Sequence, residues 1–290
     1  MAKLHFNKMT IIGAGLIGSS LARAVKQLGL VRHLAIADAS EAVCDYCVKT
    51  GFADSATTDL PHAVADADLI VLATPVGAFA TIAALIAPHI KPGAILSDVG
   101  SVKQSVIDDV SPHLSSDVHL VPGHPIAGTE FSGPEAGFPE LFRGRWCVLT
   151  PLPRTGLPAL GAVQDLWEAI GSQVTIMPAD HHDRVLALTS HLPTLLSYSI
   201  VNTAADLGEH VQSEVLQFSA GGFRGFTRLA KQDPVMWRDI FLANREAVLE
   251  QLHLLQEDLA VLTRAIRWGD GDTIQDRLTR AREIRLDLTD

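Results

Sequence analysis

The residue best placed to move a proton is an imidazole set between two prolines. His124 stands in Val121-Pro122-Gly123-His124-Pro125-Ile126-Ala127-Gly128-Thr129-Glu130. An unperturbed histidine titrates near pH 6.5, so it can accept a proton at physiological pH. Proline fixes φ and has no N–H, so this segment is expected to be a stiff loop, neither strand nor helix. Ser101, in Asp98-Val99-Gly100-Ser101-Val102-Lys103, reads as a helix N-cap, as a hydroxyl facing a ligand, or as both. His191 lies beside Pro193, where a helix must kink and a polar side chain can face a pocket; a satisfied core histidine is the simpler reading. Arg224 and Arg228 lie in the glycine-rich stretch Ser219–Arg228. His181 and His182 are neighbours on an expected helix and point apart, with no histidine four residues on, so no metal site is expected. Cys44 and Cys47 form a C-x-x-C with no second pair, so neither zinc nor redox chemistry is expected of them.

A second chemistry is phosphate binding. The apolar run Met9–Ile12 leads into Gly13-Ala14-Gly15-Leu16-Ile17-Gly18, and a helix should follow. In that context G-x-G-x-x-G is a dinucleotide-binding turn. Gly13 allows the tight turn, Gly15 lets the backbone approach a pyrophosphate, and Gly18 lets the helix pack on the strand. Leu16, Ile17 and Gly18 open a helix whose free N–H groups favour anions. Asp38, 20 residues past Gly18, ends the next strand and suits a ribose diol. A carboxylate there repels a 2′-phosphate, and no Arg or Lys follows in Ala39-Ser40-Glu41, so NAD is expected over NADP. Asp38 could also cap the next helix. Thr74 and Pro75 end another strand and should lie along the nicotinamide half of the cofactor.

These residues need a frame. Apolar runs at His33–Ala37, Asp68–Ala73, Ala94–Ser97 and Val118–Val121 alternate with helical segments, which implies an α/β, doubly wound, mainly parallel sheet. Arg145–Thr150 and Gln173–Met177 are expected to extend it. Beyond Pro178 strand signals stop. The expected division is therefore an N-terminal dinucleotide-binding domain, residues 1–178, and an all-helical C-terminal domain, residues 179–290. Asp233-Pro234 should start one long helix to about Trp268, roughly 50 Å at the α-helical rise. Along it Val248, Leu252, Leu255, Leu259, Leu262 and Ile266 form a heptad seam, widened by Leu249 and Val261. That seam is expected to pair two copies as a homodimer; an intramolecular bundle is the alternative.

The chain has 290 residues, is 47% hydrophobic and carries a formal net charge of −10. That charge argues against nucleic acid or an anionic membrane as partner. No apolar run reaches the roughly 18 residues of a membrane span. The start is broken by glycines rather than built as a signal peptide, and three cysteines make no disulfide framework. A cytoplasmic enzyme is expected.

Taken together, the glycine turn with Ser19-Ser20, the Asp98–Lys103 block, Gly123–Glu130, Ser190-His191-Leu192-Pro193, Gly222-Phe223-Arg224-Gly225-Phe226-Thr227-Arg228 and Met236-Trp237-Arg238-Asp239 resemble the prephenate/arogenate (cyclohexadienyl) dehydrogenases, in the family's order. The resemblance implies a Rossmann-like domain, a helical dimerisation domain, and oxidative decarboxylation of prephenate or arogenate with NAD in tyrosine biosynthesis. It implies His124 as the base toward the ring hydroxyl and Ser101 as the group steadying both. It implies Arg228 on a substrate carboxylate and Glu130 as a gating carboxylate, with Thr129, His191 and Trp237 around the pocket. Many members carry a histidine directly after H-L-P; here the residue is Thr194, which leaves the pyruvyl or alanyl preference open. Other readings are a β-hydroxyacid-type dehydrogenase and a non-catalytic NAD-responsive regulator. The first typically needs a lysine on a helix of the second domain, where Lys231 is the only one.

Overall fold

A computed structural model describes residues 6–206 and 221–287. Ser219 and Ala220 of the glycine-rich stretch lie outside them. The described residues form two compact units that divide between Arg245 and Glu246.

In the first unit six strands form one parallel sheet: β1 (Phe6–Ile12), β2 (Val31–Ala37), β3 (Ser55–Thr57), β4 (Leu69–Leu72), β5 (Ile95–Asp98) and β6 (His119–Val121). Their order is β3-β2-β1-β4-β5-β6. Helices α1 (Leu16–Leu28), α2 (Glu41–Lys49), α3 (Leu60–Val64), α4 (Phe79–Ile86) and α5 (Gln104–Val110) make the connections. The strands are apolar on both faces because both are covered. Side chains alternate across a strand, so Ile11, Leu69, Val71 and Ile95 enter one core cluster while Ile12, Ile70, Leu72 and Leu96 enter the other. Cys47 is fully buried in the first cluster and Cys44 is nearly so. Burial pushes the Cys47 thiol up to about 12, which makes it a packing residue.

The chain order reverses between β1 and β4, and the carboxyl ends there form the crevice in which such sheets bind ligands. Gly13 sits at this point with φ +97°, and a Cβ on it would lie 2.8 Å from the Ala73 carbonyl. A Cβ on Gly18 would lie 2.0 Å from the Gly13 carbonyl oxygen, whereas one on Gly15 would meet nothing within 4 Å. Gly18→Ala should therefore destabilise the fold, whereas Gly15→Ala should leave the melting temperature unchanged and weaken NAD binding. Thermal unfolding and NAD titration of both variants check this.

The last two expected strands do not extend the main sheet. β7 (Gly123–Pro125), β8 (Trp146–Leu149) and β9 (Gln173–Ile176) form a separate three-stranded sheet, with α6 (Leu157–Ala169) between β8 and β9. His124 therefore lies on a short strand and not on a loop. Thr150 N–H donates to the Pro122 carbonyl at 3.0 Å, and Ile126 N–H donates to the Trp146 carbonyl at 2.7 Å. Antiparallel ladders use alternate residues, so Pro122 supplies only a carbonyl and Pro125 falls where no N–H is needed. The prolines end β6 without preventing β7.

Beyond Pro178 come α7 (Ala179–Leu186), one π-helical stretch (Ala187–His191) and α8 (Leu192–Ala205). The π stretch absorbs the break that Pro193 imposes and carries His191 to full burial. The expected long helix is two, Pro234–Ala243 and Arg245–Trp268, parted at Asn244 with φ −110° and ψ 32°. Asn244 is buried and its side chain is hydrogen-bonded away from the helix, which accounts for the break. In the second unit an Asp258–Arg277 ion pair ties Arg245–Trp268 to the helix Gly271–Asp287. Leu249, Leu259 and Ile266 are exposed there in the single chain. Among the described residues no helix is long and apolar enough to cross a membrane.

Candidate active site

The site is built from the carboxyl end of β5. Asp98 is buried and forms an ion pair with Lys103, itself fully buried. One Asp98 oxygen also accepts from Gly100 N–H at 2.7 Å, and the other accepts from Gly123 N–H at 3.2 Å. Lys103 Nζ donates to the Gly123 carbonyl at 2.9 Å. Both amide groups of the residue before His124 are thus fixed by one buried ion pair. Burial raises the Asp98 carboxyl and lowers the Lys103 amine, each opposed by the other's charge.

From that support His124 reaches α7. His124 Nδ1 lies 2.8 Å from His182 Nε2, and His182 Nδ1 lies 2.8 Å from Asp183 Oδ1. A carboxylate can only accept, so His182 Nδ1 carries the proton and His182 Nε2 is a lone pair. His124 Nδ1 must then donate, and the free lone pair of His124 is on Nε2. Asp183 is fixed in turn by Lys103 N–H at 2.8 Å and Gln104 N–H at 2.9 Å. These are the first N–H groups of α5, so Asp183 occupies the capping role expected of Ser101. Ser101 is part-buried in the turn before that helix.

Burial holds His124 well below its ordinary 6.5, with His182 and Lys103 adding to the effect. It lowers His182 too, against the pull of Asp183, and takes His191 to about 4. Burial alone would raise Asp183, but the hydrogen bonds from His182, Gln104 and Lys103 outweigh it and keep the carboxyl low. The three imidazoles are neutral near pH 7. Unfolded, they would bind protons below about pH 6.5 that the folded chain refuses, so stability falls on acidification. Each contributes up to about 1.4 kcal/mol per pH unit in that range. Urea midpoints should drop between about pH 7.5 and about pH 5; a flat profile would mean the imidazoles are protonated in the folded chain.

Other sequence candidates fall into two further groups. At the cofactor turn, Gly15 is the N-cap of α1 and offers no side-chain cap, and no acid stands in the first turn, leaving the N–H groups of Leu16, Ile17 and Gly18 to an anion. Asp38 accepts from Ala14 N–H at 2.9 Å and from Ser40 N–H at 3.1 Å. The cap of α2 is Ser40, not Asp38. Thr74 is in contact range of a Cβ on Gly13, with Pro75 following it. The residues fit a dinucleotide. On the substrate side Arg228 Nη1 lies 3.8 Å from Glu130 Oε2, both partly exposed, and Thr129 Oγ1 accepts from Phe131 N–H. Trp237 meets the His191 ring edge-on at 6.0 Å. Among the described residues no hydrogen bond or ion pair joins the Arg228–Glu130 pair to the histidine relay.

The sequence matches two family profiles: Prephenate dehydrogenase, nucleotide-binding domain, over residues 21–176, and Prephenate dehydrogenase, dimerization domain, over residues 178–280. The chain belongs to the prephenate dehydrogenase family. It is 41% identical over 283 residues to the cyclohexadienyl dehydrogenase of Zymomonas mobilis, covering 98% of this chain and 96% of that protein. Aquifex aeolicus prephenate dehydrogenase, solved with hydroxyphenyl propionate and NAD+, superposes with a TM-score of 0.90 at 31% identity, covering 98% of each chain. Synechocystis arogenate dehydrogenase gives 0.81 at 26% identity, covering 96% of this chain and 98% of that one.

Within a prephenate dehydrogenase frame, the residues that sequence reasoning missed are His182, Asp183 and Asn244. The signal for the first two was the quartet Asp180-His181-His182-Asp183 in the first turns of a helix. A metal would need its two histidines to converge on one another; His182 instead reaches His124, 58 residues away. Thr194 is buried and its hydroxyl donates back to the Ser190 carbonyl of the π-helical stretch at 3.0 Å.

Proposed function

We propose that this chain catalyses the NAD-dependent oxidative decarboxylation of prephenate, arogenate or both. The products are 4-hydroxyphenylpyruvate or tyrosine, CO₂ and NADH. The observation that carries the reading is the one lone pair left on His124 by the His182–Asp183 relay. His124 Nε2 takes the proton of the ring C4 hydroxyl as hydride leaves C4. NAD, when bound, accepts that hydride. The C1 carboxylate departs as CO₂, and its bond electrons complete the aromatic ring. His124 then returns the proton to the phenol oxygen, so no net proton is consumed. Asp183 keeps His182 in the tautomer that receives Nδ1–H, and stabilises the imidazolium that forms on His124. Ser101 is proposed to steady the hydroxyl, and Thr74 and Pro75 to line the nicotinamide.

Arg228 holds a substrate carboxylate, with Glu130 as its partner when the site is empty. Half-exposed ion pairs of this kind contribute little by themselves, so the exchange of partners costs little. Arg228→Ala should raise KM roughly tenfold to a hundredfold with kcat much less affected, as expected for a lost charge-assisted bond. Steady-state kinetics checks it; an unchanged KM would show that the carboxylate is held elsewhere. Thr194 offers no imidazole, and its hydroxyl is already bonded to Ser190. This position therefore favours neither a pyruvyl nor an alanyl side chain.

The working form is proposed as a homodimer through the C-terminal helices, where Leu249, Leu259 and Ile266 lie open in one chain. The domain division is proposed at residue 178. Cytoplasmic location and indifference to nucleic acid are proposed from the acidic composition. The test is NADH formation with prephenate and arogenate side by side, using NAD and then NADP. Turnover of either substrate, with NAD preferred, is expected; no turnover of either would overturn the assignment.

A further inference from the structure

We infer that His191 is a locked hydrogen-bond donor whose Nε2–H is held for an oxygen acceptor on a bound ligand, with Asn244 as the residue that sets the lock. The inference rests on the dehydrogenase reading for the identity of the ligand, but not for the state of the ring.

The proton's position follows from the partners. The Asp183 main-chain oxygen can only accept, so the Asn244 side-chain atom 2.8 Å from it is the amide nitrogen. The same nitrogen lies 3.1 Å from His191 Nδ1. An amide nitrogen donates and does not accept, so His191 Nδ1 is the acceptor and the ring proton sits on Nε2. Burial takes this histidine to about 4, so the ring is neutral at physiological pH.

That Nε2–H has no hydrogen-bond partner although His191 is fully buried. The Ser101 backbone is near enough to weigh slightly toward the protonated ring, yet no acceptor meets Nε2 with hydrogen-bond geometry. Buried donors are almost always paired, and leaving one unpaired is costly. Among the described residues two other buried side-chain polar atoms lack partners, Thr150 Oγ1 and Arg23 Nε. A hydroxyl can rotate, and the Arg23 guanidinium is bonded through Nη2 to the Pro134 carbonyl. The His191 ring has neither outlet. Nδ1 is tied to Asn244 and one ring edge abuts Trp237.

The donor also stands where ligand chemistry is expected. His191 is close enough to His124 for their charges to interact, and Asp183 serves both. The Asp183 carboxylate orients His182 and so His124; its carbonyl orients Asn244 and so His191. One residue thus fixes a lone pair on His124 and a proton on His191. The ligand is an oxygen acceptor, either the carboxamide oxygen of the cofactor or an oxygen of the cyclohexadienyl substrate.

The test uses the whole protein labelled with 15N-histidine, with His191 assigned from the spectrum of His191→Gln. In the free protein Nδ1 should resonate as an unprotonated nitrogen and Nε2 as a protonated one, unchanged between about pH 6 and about pH 8. Saturation with NAD, or with hydroxyphenylpropionate in its presence, should shift the Nε2 proton downfield. A shift with NAD assigns the acceptor to the cofactor, and a shift only with the second ligand assigns it to the substrate. His191→Leu should weaken that same ligand roughly threefold to tenfold, the worth of one neutral hydrogen bond, and His191→Gln should restore part of it. A protonated Nδ1 in the free protein would overturn the inference. So would an Nε2 proton that neither ligand moves when dialysis shows both bound. If neither ligand binds at all, the dehydrogenase reading fails and takes the proposed acceptor with it, while the ring's tautomer stands as measured.

Discussion

His124→Asn should lower kcat at least about a hundredfold while leaving the Kd for NAD unchanged. Positioned proton transfer is typically worth about 10²–10⁴-fold, and no other imidazole in the relay has a free lone pair to take its place. His182 Nε2 is occupied by His124, and Asp183 by His182 and two backbone N–H groups. Asparagine can still donate to His182, so the fold should hold and the loss should fall on kcat. Because burial holds His124 well below 6.5, the acid limb of kcat/KM in the native enzyme should also lie below that value. Steady-state kinetics and NAD titration of the variant decide it. A kcat within tenfold of native would remove His124 from the proton transfer.

Lys103→Met should cost about 3–5 kcal/mol of stability, the usual effect of removing one partner of a buried ion pair. Asp98 would remain in the core with its charge uncompensated, and the Gly123 carbonyl would lose its donor. Pairing the change with Asp98→Asn should recover much of that loss, since a neutral amide tolerates burial better than a lone carboxylate. The activity should not recover with it, because Gly123 is then still without Lys103 and the His124 backbone is free to shift. Urea unfolding of the single and double variants, with kcat of the double, checks both halves. Equal stability of the single variant and the native chain would show that the pair is hydrated or neutral.

What could be read from the sequence was local. The glycine turn, the two-faced apolar strands and the helix after Gly15 are each fixed by neighbours a few residues apart, and five of the six strands of the main sheet follow from them; β3, Ser55–Thr57, has no apolar run to mark it. Partners across long intervals were not legible. His182 and Asp183 carry no periodic mark that ties them to His124 or to the start of α5, and the expected Ser101 cap was displaced by a carboxylate 80 residues from Lys103. Asn244 is a weak helix breaker within a run of helix formers, and only its bonds to Asp183 and His191 explain why the long helix stops there. The prolines around His124 pointed to a loop where the chain forms a short strand. Their effect on pairing depends on which side of the residue the neighbouring strand lies, and the chain alone does not show this.

The most direct measurement is a crystal structure of this chain with NAD and a hydroxyphenyl carboxylate. The ring oxygen should lie about 2.6–3.2 Å from His124 Nε2, the range for proton transfer, with Nδ1 still on His182. A ring oxygen out of reach of that nitrogen, with another side chain bonded to it instead, would contradict the mechanism.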